Sequence, residues 1–128
     1  MQRSHTCTIY FDSPELTIQS VKASLQEDGL LVKESTGALF VRWSDQGPEL
    51  KVIHRAGADV RVEAAAIGLS TEYEDRLLRC HYAFDIEFND LNAVLDEVNT
   101  LIQVQHILLC TSEGVAFNSW NSALSGEA

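Results

Sequence analysis

Tyr10, Asp85 and Glu87 are the residues whose types and positions could do chemistry. Tyr10 lies in one alternating stretch, Cys7 to Phe11, and Glu87 in another, Leu78 to Phe88. Strand alternation puts Cys7, Ile9 and Phe11 on one face, with Thr8, Tyr10 and Asp12 on the other. In the second stretch Leu78, Cys80, Tyr82, Phe84, Ile86 and Phe88 share the apolar face, and Arg79, His81, Asp85 and Glu87 share the polar one. Where the two polar faces meet, a phenol and a carboxylate joined by Asp85 would face one cleft, able to polarise a ligand or exchange protons with it. The competing reading is a solvated strand face, the usual place for charged side chains.

Other chemistry is poorly represented. Cys7, Cys80 and Cys110 form no C-x-x-C pair, and His5, Cys7, Cys80 and His81 lack the ligand spacing of a zinc module, so no metal and no cofactor is expected. Odd, widely spaced thiols read as reduced cysteines, with Cys7 and Cys80 as small core residues. His54 and His106 are dispersed, and no phosphate loop, nucleophile elbow or metal-binding helix is present. Trp43 and Trp120 are the remaining candidates. Each lies opposite a neighbouring Phe (Phe40, Phe117) in a strand pattern, so large aromatics emerge on both sheet faces and something must cover each. The tryptophans either fill the rim of the core or stack on a ligand.

The elements that must position these residues follow from periodicity. After the first strand, Ser13 as cap, Pro14 and Glu15 predict a helix carrying Ile18, Val21 and Leu25 and ending at Gly29. Leu30 to Glu34 and Ala38 to Trp43 form a hairpin, and Leu50 to His54 follows the turn Asp45-Gln46-Gly47-Pro48 as a third strand. Residues 57–69 fit either element: Val60, Ala64 and Ile67 make a helix face capped by Asp59, while Val60, Val62, Ala64 and Ala66 alternate. Three consecutive alanines favour helix. Asp90 caps a further helix with the stripe Leu91, Val94, Leu95, Val98, Leu101 and Ile102. A hairpin of Ile107 to Cys110 with Val115 to Trp120 closes the chain, leaving Asn121 to Ala128 as a frayed tail.

A shift of 77 positions superposes the two ends without a gap. Ile9 falls on Ile86, Phe11 on Phe88, Val21 on Val98, Gly37 on Gly114, Phe40 on Phe117 and Trp43 on Trp120. The reading is one α+β domain, 1–128, built from duplicated strand-helix-strand-strand units at 7–44 and 84–121 joined by 45–83, with a mainly antiparallel sheet and helices on one face. In element order it resembles the DNA gyrase inhibitor-like ligand-binding domains. That resemblance implies a small-molecule site at the pseudo-twofold between the halves.

Charge narrows the function. With 9 basic and 19 acidic side chains the net charge is −10, which argues against nucleic acid. No apolar run approaches the roughly 18 residues of a membrane span, and no apolar segment follows Met1 to Thr6, so a cytoplasmic protein without a membrane role is expected. The first expectation is a ligand-binding or regulatory module using Tyr10, Asp85, Glu87, Trp43 and Trp120, with an acidic floor that selects a cationic or hydrogen-bond-donating small molecule. The alternative is a protein-interaction domain, similar to secretion chaperones or immunity-type inhibitors, whose acidic surface meets a protein partner. A hydrolase using Tyr10 and Glu87 ranks third, so an enzyme is the lesser expectation. The pattern also allows a homodimer.

Overall fold

The protein is described by a computed structural model covering residues 5–35, 37–42, 49–88, 98–118 and 123–126. Its strands are β1 (His5–Phe11), β2 (Leu31–Ser35), β3 (Ala38–Arg42), β4 (Leu50–Ala56), β5 (Tyr82–Phe88), β6 (Val115–Asn118) and β7 (Ala123–Gly126). The helices are α1 (Ile18–Glu27), α2 (Ala58–Gly68), α3 (Glu74–Leu78) and α4 (Val98–Ser112). All strand pairs are antiparallel, in the order β2-β3-β4-β5-β1-β6-β7. The α+β class and antiparallel sheet are those the sequence indicates.

Alternation in β1 and β5 decides where the main core sits. Cys7, Ile9, Phe11, Phe84, Ile86 and Phe88 point to one face with Leu39, Val41, Leu50 and Val52, and α1 and α4 close over them through Val21, Leu25, Leu101, Val104 and Leu108. Phe11 stacks on Phe84 with ring centroids 4.8 Å apart. The expectation of helices on one face is corrected here. On the opposite face α2 and α3 bury Val60, Ala64 and Leu77 against Tyr10, Ala83 and Val115. The spacing of Val60, Ala64 and Gly68 settles residues 57–69 as helix, since all three are buried on one side.

Several boundaries differ from the sequence reading. The cap of α1 is Thr17, whose side chain accepts from Ser20 N; Ser13 instead opens a turn through its carbonyl to Leu16 N. The backbone of Gly57, with φ of 115°, takes the cap position of α2, and Asp59 stands inside the first turn. Leu78 and Cys80 are not strand residues. Glu74 and Asp75 at its start and Arg76 in its last turn suit the dipole of the short helix α3, so β5 begins at Tyr82 and Leu78 is exposed. Ile107 to Cys110 is helical: Leu108 continues the stripe of Leu101 and Val104, a period the apolar run had masked. The supposed tail contains β7, paired with β6. Trp43, Trp120, the turn 45–48, Asp90, Leu91, Val94 and Leu95 lie outside the described residues.

The duplication is not shown. At the shift of 77, the strand β2 falls on residues 108–112, which belong to α4, and Gly37 of the β2–β3 turn falls on Gly114, which precedes β6. No described helix is long and apolar enough to cross a membrane.

Candidate functional site

The polar face of β1, β4 and β5 carries a cluster that ties α2 to the sheet. Antiparallel register sets Thr8 opposite Asp85 on one side of β5, while Ile53 faces Asp85 on the other and Arg55 stands two residues further along β4, opposite Ala83. Thr8 Oγ1 donates to Asp85 Oδ1 at 2.7 Å. Arg55 Nη2 donates to the same oxygen at 3.0 Å, and its Nε lies 2.6 Å from Oδ2 as an ionic contact, off the line that a hydrogen bond needs. The guanidinium also reaches α2, donating from Nη1 to Glu63 Oε2 at 3.2 Å and from Nη2 to Oε1 at 3.0 Å. Tyr10 completes the cluster by donating its hydroxyl to Glu63 Oε1.

Electrostatics follow from that geometry. Arg55 holds the Glu63 carboxyl below the usual carboxylate range against the opposing effect of burial, and the Tyr10 hydroxyl adds a smaller lowering. Burial first, then the bond to Glu63, push the Tyr10 phenol up, so it stays protonated. Glu63 and Asp85 keep Arg55 charged. The fork of Arg55 between two carboxylates is a bidentate arrangement that fixes α2 in register on the sheet.

The structure brings Tyr10 and Asp85 into one cluster but leaves Glu87 apart. Tyr10 is fully buried and pairs with Ala83, whereas Glu87 pairs with Thr6. The two therefore stand four residues apart along the sheet, about 13 Å at strand rise. Trp43 and Trp120 lie outside the described residues. The cation that an acidic floor would have selected is supplied from within, by Arg55. Sequence reasoning missed Arg55, Glu63 and Thr8. For Arg55 and Thr8 the signal was present, since strand alternation places both on the face of Asp85; Glu63 needed the helical assignment of α2.

The cysteines divide between the two cores. Cys7 lies among the residues under α1 and α4, accepting from Gln105 Nε2 at 2.9 Å, and Cys80 lies under α3 on the other face. Burial pushes the Cys7 thiol up to about 12 and the Cys80 thiol up to about 11, so both are inert. His81 Nδ1 approaches Asp12 Oδ1 at 3.0 Å. Since Cys7 and Cys80 point to opposite sides of the sheet, these residues do not converge on a metal.

Beyond α2 and α3, no other described helix packs on the same sheet face. Across β2, β3, β4 and β5, register aligns Lys33, Phe40, Lys51 and Glu87 in one row. Phe40 and Ile53 are half-buried and belong to neither core, and Leu31 is 47% exposed. A shallow hollow of about 140 Å³ is lined by Leu31, Lys33, Phe40, Arg42 and Glu49, with Arg42 Nη2 3.0 Å from Glu49 Oε2. Comparison with family models, with curated proteins and with solved structures finds no match in any of the three.

Proposed function

We propose that the chain is a protein-interaction module that docks a partner on the Phe40-bearing face of β2, β3 and β4. The observation that carries this reading is the row Lys33–Phe40–Lys51, a half-buried aromatic between two ammonium groups on the part of the face where neither α2 nor α3 buries a core residue. An antiparallel sheet can face water on one side, but there its outward residues are polar rather than Phe40, Ile53 and Leu31. Lys33 and Lys51 make no ion pair among the described residues, while Arg42 is held by Glu49. The matching partner is a polypeptide segment that inserts an apolar side chain over Phe40 and brings carboxylates to both lysines. The polar cluster around Arg55 supports this choice over the ligand-binding one, because Tyr10, Glu63, Asp85 and Arg55 already satisfy one another.

A photo-crosslinking residue placed at Phe40, compared with one at exposed Ala23 on α1, tests the reading in cells. The Phe40 position is expected to trap a discrete protein adduct that Lys33→Glu with Lys51→Glu removes, with none from Ala23. The same adducts from both positions overturn it. So does native mass spectrometry showing a stoichiometric small molecule on protein taken directly from cells, which returns the function to ligand binding.

A further inference from the structure

β2 is an outer strand of the sheet, beside the Lys33–Phe40–Lys51 row, and among the described residues only β3 pairs with it. Ser35 and Ala38, two residues apart across the turn, exchange backbone hydrogen bonds, and Lys33 and Leu31 repeat that exchange with β3. The N–H and C=O groups of Val32 and Glu34 therefore point away from β3, and no other described strand meets them. The strand that offers this edge is firmly held. Val32 packs against the main core, and the Glu34 carboxylate accepts from Gln19 Nε2 at 2.6 Å and lies 3.5 Å from Lys22 Nζ, both on α1. Edges are commonly blunted by proline, a bulge or a charge; β2 has five residues, none proline, in one-to-one register with β3. Lys33 supplies the charge, and so selects what pairs.

Resting on the docking reading above, we propose that the partner's segment adds to β2 as a further antiparallel strand, and that it is an extended peptide carrying an acidic and an apolar residue. Pairing through Val32 and Glu34 makes the residue opposite Lys33 a non-hydrogen-bonded neighbour, with Cα atoms about 4.5 Å apart. A glutamate or aspartate there meets the Lys33 ammonium, which has no ion pair among the described residues. Two residues further toward the segment's C-terminus, a side chain stands opposite Leu31, which is 47% exposed and lines the hollow with Phe40. An apolar group in that place covers Leu31 and enters the hollow. The sequence recognised is thus an acid, any residue, then an apolar residue. Backbone bonds supply affinity and the two side chains supply selectivity. A second copy of β2 is the poorer occupant, since full overlap sets Lys33 against Lys33 between two chains of charge −10.

The test titrates the full chain with the capped peptide Thr-Thr-Glu-Val-Leu and follows backbone amides by nuclear magnetic resonance. Saturable binding is expected, with slowed hydrogen exchange at the amides of Val32 and Glu34. N-methylation of the peptide's second and fourth residues, whose N–H groups face β2, should weaken binding about tenfold or more. N-methylation of the third and fifth, which face away, leaves every side chain and every inward donor in place and should change it by less than about threefold. A lysine in place of the peptide's glutamate abolishes binding, and Lys33→Glu in the chain restores it. Equal losses from the two methylated peptides, unslowed exchange at Val32 and Glu34, or no binding at all each overturn strand addition. So does a peptide-free dimer that protects the same two amides, which gives the edge to a second copy. The Phe40 crosslink is a separate readout: a discrete adduct there without strand addition keeps the docking reading, and its absence removes that reading itself.

Discussion

Glu63 is where the sheet and α2 are joined, and its ionisation state governs that junction. Glu63 gives up its proton more readily folded than unfolded, because Arg55 and Tyr10 favour the anion. The stabilisation it brings is thus present above the unfolded carboxylate range, near 4.3, and is lost as pH falls through the lower folded value. Glu63→Gln is expected to cost about 1 kcal/mol at neutral pH, as befits a partly exposed pair, and progressively less in acid. Urea unfolding at neutral and acidic pH checks this: a difference that persists undiminished in acid removes the ionic role. His54 acts in a higher window. Its Nε2 is buried without a hydrogen-bond partner among the described residues, its ring stands 5.4 Å from that of Phe84, and burial lowers its proton affinity. The unfolded chain then takes up a proton below about pH 6.5 that the folded chain resists, so stability falls as pH drops through that value. His54→Phe is expected to flatten that segment of the stability profile, leaving the Glu63 segment in place.

At the scale of elements, two glycines separate what was legible in the sequence from what was not. Aligned by the shift of 77, Gly37 and Gly114 look equivalent, but they serve different ends. Gly37 has φ of 80° in the β2–β3 turn with open space around it, so Gly37→Ala should cost about 1 kcal/mol, from backbone conformation alone. A Cβ on Gly114 would lie 2.3 Å from the Tyr10 carbonyl oxygen, which forces β6 off β1. Gly114→Ala should cost about 3 kcal/mol by thermal or denaturant unfolding. Equal costs would restore the equivalence. Strands β1, β2, β3 and β4 were readable because alternation and turn glycines agree over those residues. Helix α4 was not, because Ile107-Leu108-Leu109-Cys110 satisfies a strand as readily as a helix over four residues, and only its packing on Val104 and Leu101 decides. Leu78 and Cys80 extended the alternation of β5 by coincidence, since α3 is too short to show a period of its own. Within the candidate site, Tyr10 and Asp85 were legible as residues on one face. Their partner Glu63 was not, since which residue α2 lays over the sheet is a tertiary fact.

For the whole molecule, charge is distributed unevenly between the surfaces. Of the 9 basic side chains, Lys33, Arg42, Lys51 and Arg55 stand on the face of β2, β3 and β4 that α1 and α4 do not cover, while the net charge is −10. Self-repulsion of the acidic surface opposes compaction, and added salt screens it over about 8–10 Å. Raising salt is therefore expected to increase the melting temperature of the isolated chain. The same salt should weaken docking on the Lys33–Phe40–Lys51 row, because carboxylates of the partner meet ammonium groups there. Stability and binding should thus move in opposite directions along one salt series. Lys33→Glu with Lys51→Glu sharpens the contrast. Neither lysine takes part in a core, so the double variant should change folding stability by no more than about 1 kcal/mol, through added repulsion alone. Yet it should abolish the Phe40 crosslink and its salt dependence together. A double variant that unfolds markedly more easily would mean the lysines hold the sheet together, and the row would then be part of the scaffold instead of a surface that receives a partner.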